Sequence, residues 1–492
     1  MNTLPEMLAT VVKQNAKRTA IVDGEKVVSY AALEERIVTL VADLHRVGVC
    51  PGDRVALLLP NGLDFVTSYF AIVTLGAIAV PLNEHYQQTE LLYFLDVGRV
   101  SLLITAREFS RLCQHVLSRQ TEACDVFFVE DETQAAATEF RFLNERKVAI
   151  DPNAPVMYQF SSGSTGKPKC IARTHTNLLC ELDSLIQALN VTNTDRFIGV
   201  APFSHVNGLM RSMMASIRAG ATLYPLAKFE RQAVAEVIEQ AKISVFIAVP
   251  FMFSMLAKTN YRRRPDFSSL RLCISASAPM PQKLNQHFHE HFGMYVRQLY
   301  GSTETGTISV NVSAAIEKSL ESVGTPIAGV EVEIFAENGN LAKVGETGEV
   351  AVKSHAAIKS YKGLEEVTKE VFRDGYFFTG DLGKRDEDGL LYLVGRKKFF
   401  INKGGYKIDP REIEELLESH AKVEEAVAIG VPTTYGDEKV KAVVVLNGSC
   451  SEQELIEYCQ GRIANFKIPS VIEFMESLPR SPTGKIRKAL LL

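Results

Sequence analysis

A mixed α/β fold is what this chain of 492 residues predicts: a large N-terminal domain of parallel βαβ subdomains, a small β-rich unit, and a small α+β domain at the C-terminal end. Three observations predict it. Short apolar strands alternate with amphipathic helices from Tyr30 to beyond Gln282, the pattern of parallel sheets covered on both faces. From about Gly324 the strands shorten and the long helical runs stop. A Gly395-Arg396-Lys397-Lys398 segment then separates residues 1–394 from a compact stretch, residues 399–492, of the size of a small independent domain.

The elements follow in order. The first residues, MNTLPEMLATVVKQNAKRTAIV, predict an amphipathic surface helix; they lack the continuous apolar core and cleavage site of a signal peptide. Tyr30 to His45 places apolar residues at helical spacing, and Gly48 with Pro51-Gly52 stops the helix. Arg54 to Leu59 reads as a buried strand, Leu63 to Leu75 as a helix, and Ala77 to Pro81 as a strand. Leu102 to Thr105 and Asp125 to Val129 continue the alternation. Arg196 to Ala201, Thr222 to Pro225, Val245 to Val249 and Leu270 to Ser275 are further strands, with helices at Met210 to Ala219, at Ala233 to Ala241 and from about Gln282. Val330 to Ile334 and Glu349 to Lys353 are strands of the β-rich unit. The stretch DEDGLLYLVG predicts a hairpin. Its Asp386-x-Asp388-Gly389 lacks the remaining ligands and terminal Glu of a calcium loop, so a β-turn is expected.

Composition narrows the function class. The chain is 46% hydrophobic and 23% charged, ordinary for a globular protein, and a formal net charge of −4 points to no nucleic-acid partner. The most apolar stretch, Phe70 to Leu82, is shorter than the about 20 residues a membrane span needs, and it runs into proline. No membrane span is expected, and a soluble, cytoplasmic protein is. Cys50, Cys113, Cys124, Cys170, Cys180, Cys273, Cys450 and Cys459 form no CxxC pair and no Cys/His cluster in the sequence. That spacing favours free thiols in a reducing compartment over a zinc site.

Chemistry concentrates first in one loop. Ser161-Ser162-Gly163-Ser164-Thr165-Gly166-Lys167-Pro168-Lys169 follows the apolar segment VMYQF. Glycines let a backbone approach phosphate closely, hydroxyls donate to its oxygens, and lysine adds charge. This is not a Walker loop, which needs glycine where Ser161 stands and Ser or Thr where Pro168 stands. A flexible polar linker is the bland alternative, but a linker rarely combines such hydroxyl density with two lysines behind a buried strand.

SSGSTGKPK resembles the phosphate-binding loop of the adenylate-forming superfamily: acyl-CoA synthetases, carrier-protein acid ligases, nonribosomal adenylation domains and luciferases. The other motifs stand in that family's order, and the resemblance covers nearly the whole chain. It implies that Ser161, Ser162, Gly163, Ser164, Thr165, Gly166 and Lys167 hold ATP, with Thr165 among the catalytic residues. Gln298 to Gly306 resembles the second signature: Tyr300 stacks on adenine beside Gly301, Thr303 bonds phosphate, and Glu304 holds magnesium, a hard cation that prefers oxygen. Ser275-Ala276-Ser277-Ala278-Pro279 resembles the small-residue loop against the adenine and acyl pocket, with Ser277 on the nucleotide side. Tyr376 to Gly383 resembles a characteristic segment in which Asp381 accepts both ribose hydroxyls. By the same resemblance Arg396 contacts ribose and Lys398 is the hinge, at 395–398, of a mobile C-terminal domain. Lys403, Gly404 and Gly405 fit the loop that enters for thiol transfer. Asn402 stands where many acyl-CoA synthetases have Lys, which leaves the acceptor open between CoA and a carrier-protein phosphopantetheine. Pro482-Thr483-Gly484-Lys485 resembles the last signature, in which Lys485 bridges the substrate carboxylate and the α-phosphate. Pro202 to Gly208 aligns with a segment lining the acyl pocket. The pocket candidates are His205, Asn207, Met213, Phe251, Ser275, Ala276, Leu299 and Ser302, with His205 placed to gate or contact the acid.

The implied activity is an ATP-dependent acid–thiol ligase that forms an acyl-adenylate, releases pyrophosphate and passes the acyl group to a thiol. No pocket candidate is the fixed acid that amino-acid-activating domains use to hold an α-amine, so a fatty or aryl acid is expected. With no carrier domain in the sequence, the expected thiol is free CoA or a separate acyl or peptidyl carrier protein. Two other classes compete: a luciferase-like oxygenase built on the same first step, and a non-catalytic binding module. The presence of Thr165, Glu304, Asp381, Arg396 and Lys485 counts against the second.

Overall fold

The structure is a computed structural model that describes residues 2–120, 123–131, 150–161, 169–397, 401–403, 406–432, 438–460, 462–463, 465–481 and 484–492. By compactness the chain divides into two units, Met1–Val332 with Val352–Phe377, and Glu333–Ala351 with Phe378–Leu492.

In the first unit lie β1 (Thr19–Asp23), β2 (Lys26–Ser29), β3 (Arg54–Leu58), β4 (Ile78–Pro81), β5 (Leu102–Thr105), β6 (Asp125–Phe128), β7 (Pro155–Ser161), β8 (Lys169–Thr174), β9 (Arg196–Gly199), β10 (Thr222–Pro225), β11 (Val245–Ala248), β12 (Leu272–Ser275), β13 (Arg297–Ser302), β14 (Gly306–Val310) and β15 (Thr325–Pro326). One sheet runs β6-β5-β3-β4-β7-β8, parallel until β8 turns back. The other runs β15-β14-β13-β12-β11-β9-β10-β1-β2, and its strands from β13 to β1 are parallel. Parallel strands covered on both faces must be apolar throughout, which is why Val55, Ala56, Leu57 and Leu58 of β3 are all buried, as are all four residues of β11.

Helices supply the covering layers. Tyr30–Arg46 starts where the Ser29 hydroxyl accepts the Ala32 amide at 3.2 Å, and it buries Leu33, Ile37, Leu40, Val41 and Leu44 at helical spacing. The apolar helix Leu63–Thr74 is buried nearly all round, the expected outcome for a stretch too short to span a membrane. Among the described residues no helix is long and apolar enough to cross one. One core draws these helices together with both sheets, and Phe65 meets Phe203 edge-to-face within it at 5.6 Å.

The N-terminal helix, Leu4–Asn15, is the expected amphipathic surface element: it buries Leu4, Met7, Leu8, Val11 and Val12, leaves Glu6, Ala9, Lys13 and Gln14 exposed, and its Leu4 amide donates to His175 Nδ1 at 3.1 Å. One sequence expectation needs correction. The helix expected from Met210 is interrupted. A turn at Val206–Gly208 opens into a π-helical stretch, Leu209–Met214, and regular helix covers only Ala215–Ala219. Such widened turns are frequent at functional sites.

Strands β16 (Val330–Phe335), β17 (Gly348–Ser354), β18 (Phe372–Arg373), β19 (Tyr376–Arg385) and β20 (Leu391–Arg396) make the expected β-rich sheet, ordered β16-β17-β19-β18 with β20 on β19; the division between the units runs through β16, β17 and β19. The DEDG stretch is the turn between β19 and β20. There Asp386 Oδ1 accepts the amides of Asp388 and Leu390 at 3.1 and 2.8 Å, and Gly389 takes a left-handed φ of 78°. The second unit continues with a hairpin of β21 (Ile401–Lys403) and β22 (Tyr406–Ile408), then a sheet of β23 (Val423–Pro432), β24 (Glu438–Leu446) and β25 (Val471–Phe474). The helix Pro410–Glu418 packs Ile413 and Leu417 into the core of that unit.

The His175 contact makes stability depend on pH. Burial pushes the His175 imidazole down from 6.5 to about 4, and its Nδ1 is held as an acceptor by Leu4. The unfolded chain therefore binds a proton that the folded chain refuses. This stability is complete above about pH 6.5 and is lost as the pH falls toward 4, by up to about 3 kcal/mol. Urea unfolding of His175→Gln followed over that range should lack this part of the slope seen in the natural chain.

Candidate active site

Four neighbouring parallel strands end on one edge of the larger sheet, where open α/β sheets bind ligands. Past β9 the chain makes Pro202 to Gly208. Past β11 it starts the helix Pro250–Ala257, which carries Phe251. Past β12 come Ala276 and Ser277, and past β13 come Thr303 and Glu304. His205 is half-buried, and its Nδ1 accepts the Asn207 amide at 3.3 Å, capping the turn it begins. Asn207, Met213, Ser275, Ala276 and Leu299 are buried, whereas Phe251 keeps 39% of its surface exposed. Ser277 holds a left-handed φ of 73°, uncommon for a non-glycine residue, where the chain leaves β12. The Ser302 and Thr305 hydroxyls lie 3.0 Å apart.

The bend between β13 and β14 carries the second signature, and a buried polar network braces it. Arg173 Nη2 meets Glu181 Oε2 at 2.9 Å with both side chains fully buried. The other oxygen of Glu181 accepts the Thr307 amide at 3.0 Å and the Thr307 hydroxyl at 3.1 Å. That hydroxyl in turn accepts Arg211 Nε at 3.2 Å. Arg173 also reaches the Ala356 carbonyl at 3.2 Å. Glycines let these groups close up: a Cβ on Gly306 would stand 2.5 Å from Glu181, and one on Gly301 would stand 2.6 Å from Arg211 Nη2.

Above the brace, Tyr361 links two motifs. Its hydroxyl donates to Glu304 Oε1 at 2.9 Å, and Lys169 Nζ lies over its ring at 4.5 Å from the centroid. The Glu304 carbonyl accepts the Ile358 amide at 2.8 Å. Ser161 and Lys169 are register partners at the ends of β7 and β8, so the chain leaves for the hydroxyl-rich loop and returns at one point. Ser162, Gly163, Ser164, Thr165, Gly166 and Lys167 lie outside the described residues. Tyr300 is buried at the middle of β13. Magnesium suits the donor types here: the half-buried carboxylate of Glu304 stands in a segment, Ser302 to Thr305, whose other side chains are hydroxyls, so the bend offers hard oxygens.

The second unit carries its own cluster. Asp381 on β19 is the register partner of Arg396 on β20, and Arg396 Nε donates to Asp381 Oδ1 at 2.6 Å. Gly380 at φ 72° and the Thr379 hydroxyl, which accepts the Asp381 amide at 3.0 Å, set the carboxylate's direction. Lys485 is exposed beside a turn in which its carbonyl accepts the Ser481 amide at 2.7 Å. Lys403 pairs with Tyr406 across Gly404 and Gly405; those two glycines and Lys398 lie outside the described residues.

Sequence reasoning missed Arg173, Glu181, Thr307, Arg211 and Tyr361. An arginine inside the apolar strand CIART was the one available signal, since a charge there must find a partner. It also missed that His420, Cys450 and Glu454, far apart in sequence, bring ligand atoms within 4.8 Å. Lys422 Nζ already meets both Glu454 oxygens, at 2.8 and 3.1 Å, so this cluster is satisfied as an ion pair.

The fold and these strand-end groups define a nucleotide-using α/β enzyme with a small C-terminal domain. A family model of AMP-binding enzymes matches residues 8–362, and one of the AMP-binding enzyme C-terminal domain matches residues 412–485. The chain belongs to this family, the adenylate-forming superfamily its motifs resemble, and within it to the AMP-forming acid–thiol ligases. It is 31% identical to a long-chain-fatty-acid–CoA ligase of Bacillus subtilis (strain 168), over 100% of this chain and 94% of that one. It is 32% identical to a feruloyl-CoA synthase of an Amycolatopsis species, over 96% and 94% of the two chains. Among solved structures, O-succinylbenzoate coenzyme A synthetase from Bacillus subtilis, in complex with ATP and magnesium ion, matches with a TM-score of 0.86 at 28% identity over 99% of this chain and 98% of that one.

The brace is testable. Glu181→Gln leaves two buried guanidiniums without their shared carboxylate and should lower unfolding free energy by about 3–5 kcal/mol. Gly306→Ala sets a Cβ against Glu181 at a left-handed φ of 70° and should also destabilise, whereas an alanine at the exposed Gly389 turn meets no neighbouring atom and costs only its backbone strain. Urea denaturation of the three variants gives the ranking, and equal stability of Glu181→Gln and the natural chain would remove the brace.

Proposed function

We propose that this chain joins a fatty or aryl carboxylic acid to CoA in two steps, through an acyl-adenylate formed from ATP with release of pyrophosphate. The observation that carries the reading is the Lys169–Tyr361–Glu304 link: one phenol holds a carboxylate suited to a hard cation next to an ammonium suited to phosphate. The acid's carboxylate attacks the α-phosphorus, so the protein needs no nucleophile of its own; it has to position two anions and offset their repulsion. Lys169 and the 161–167 loop, Thr165 included, hold phosphate oxygens, Tyr300 and Ser277 receive the base, and Asp381 with Arg396 receives the ribose. Glu304 would hold magnesium, which when bound neutralises phosphate charge. His205, capped in a fixed ring orientation, faces the acid in a pocket formed by Asn207, Met213, Phe251, Ser275, Ala276, Leu299 and Ser302.

Lys485 brings its ammonium between carboxylate and α-phosphate in the first step alone. Rotation about Lys398, in the 395–398 hinge between residues 1–394 and 399–492, then replaces Lys485 by the Lys403-Gly404-Gly405 loop and admits the thiol. The CoA-ligase names of the relatives support CoA over a carrier protein as acceptor, and turnover with CoA against a holo carrier protein tests that choice.

Lys485→Ala should slow acid-dependent ATP–pyrophosphate exchange by about a hundredfold or more, the usual effect of removing one charge-stabilising group. Thioester formation from a preformed acyl-adenylate should stay within about tenfold of normal, because that step uses the other face of the domain. Equal loss in both assays would count against the two-step division.

Lys398→Pro separates the steps in the opposite sense. Proline holds φ near about −65° and blocks the backbone change a hinge needs. Single-turnover adenylate formation should survive and transfer to thiol should collapse; a normal transfer rate would rule out rotation about this residue.

A further inference from the structure

An ammonium on a flexible four-carbon stem reaches a set point only if the backbone that carries it is fixed. Around Lys485 the chain folds back on itself. The Arg487 amide donates to the Pro479 carbonyl at 2.8 Å, Arg480 and Ile486 pair as an antiparallel bridge, and the Ser481 amide donates to the Lys485 carbonyl at 2.7 Å. Gly484 takes a left-handed φ of 78°, and its amide donates to the Ser481 carbonyl at 2.8 Å.

The peptide group that enters Lys485 is gripped by two side chains. Its carbonyl, that of Gly484, accepts Arg480 Nη1 at 2.9 Å. Its N–H, that of Lys485, donates to Ser481 Oγ at 3.2 Å. A peptide group is a rigid plane, so bonds at both of its poles fix the direction in which the next side chain leaves. Arg480 is itself tied down, because its Nη2 donates to Glu425 Oε1 on β23. The two side chains keep only 24% and 36% of their surface exposed, so this pair is screened less than one in open solvent. On the other arm of the hairpin Lys488 Nζ meets Glu414 Oε1 at 2.8 Å, while Leu478, Ile486 and Leu491 pack with Val427 and Val443. Arg480 carries this anchorage to the peptide before Lys485. A guanidinium suits the task, since its rigid plane offers one nitrogen to the carboxylate and another to the carbonyl.

We propose that Arg480, held by Glu425, and Ser481 are positioning residues for adenylate formation: together they fix the Gly484–Lys485 peptide and so aim the Lys485 ammonium. The inference rests on the ligase reading above, in which Lys485 acts in the first step alone. A misplacement of about 1 Å caused from outside the reacting atoms can cost on the order of a hundredfold in rate. Such a loss falls on the maximal rate rather than on substrate binding, because the ammonium is asked to offset charge that builds up in the transition state.

The test uses the full chain and two single-turnover measurements: adenylate formation from ATP and a fatty or aryl acid, and thioester formation from the preformed adenylate and CoA. Arg480→Lys keeps the charge beside Glu425 and loses the fork, and Ser481→Ala loses the acceptor of the Lys485 amide. Each should lower the maximal rate of adenylate formation by about tenfold to a hundredfold, with the half-saturating ATP concentration unchanged within about twofold. Thioester formation should stay within about twofold of normal. Glu425→Gln, which loosens the hold on Arg480, should act in the same direction. In a chain that already carries Lys485→Ala, Arg480→Lys should have no further effect, because nothing is left to aim. A merely structural role would slow both steps and would persist without Lys485. Normal adenylate formation in Arg480→Lys, equal loss in the two steps, or an undiminished loss beside Lys485→Ala overturns the positioning role and leaves the ligase reading standing. Adenylate formation that Lys485→Ala leaves untouched removes the role of Lys485 on which the inference rests. Absence of adenylate from every fatty and aryl acid overturns the ligase reading itself.

Discussion

Glu181 accepts from Arg173 with one oxygen and from Thr307 with the other, in a place where both ionic partners are fully buried. Its position follows from a helix, His175–Ala188, whose start is fixed by reciprocal bonds between Thr174 and Asn177 at 3.1 Å. From there one carboxylate ties together the end of β8, the start of β14 and, through Thr307, the π-helical stretch. These elements come from both sheets of the first unit. The strand-end residues Thr303 and Glu304 are therefore held by electrostatics in a medium with little screening, where directional bonds are stiff.

Much of this was legible in the sequence, for identifiable reasons. Parallel strands such as β3, β5 and β11 carry at least three consecutive apolar residues, so they announce themselves without their neighbours. Gly389 marked the left-handed position of the turn between β19 and β20, and the turn followed. Ser161, Ser275 and Ser302 of the motifs are each the last residue of a strand, where a backbone can face a ligand. What was not legible depended on contacts between distant segments. Arg173 and Glu181 look like two ordinary charges on a strand and a helix, and only the packing of that helix against β14 makes them partners. Tyr361 is one tyrosine among 15, and nothing local shows that its hydroxyl reaches Glu304, 57 positions away. The π-helical stretch escaped because its apolar spacing, Leu209, Met210, Met213 and Met214, serves an ordinary helix equally well.

The second unit shows how register alone can assemble chemistry. Asp381 and Arg396 are fifteen positions apart and meet because the β19–β20 hairpin pairs them. A slip of one residue would send one side chain to the opposite face. The turn at Asp386 and Gly389 fixes that register, so a stretch that resembled part of a cation loop has a structural duty: it sets the pairing on which the Asp381 carboxylate's direction depends.

Gly208, pressed against the Ala201 and Pro202 carbonyls, bears on how such an enzyme diversifies. It leaves no room for a side chain, so this position is closed to drift, and so for similar reasons are Gly301 and Gly306. Beside Gly208, Asn207 and Met213 make no side-chain bond to the brace, so exchange there leaves the bend intact. Arg211 is different, since its bond to Thr307 makes it part of the brace. A lineage can therefore change positions 207 and 213 one at a time, but abandoning Arg211 demands a simultaneous repair beside Thr307, a two-step path that single substitutions cross only through a weakened intermediate.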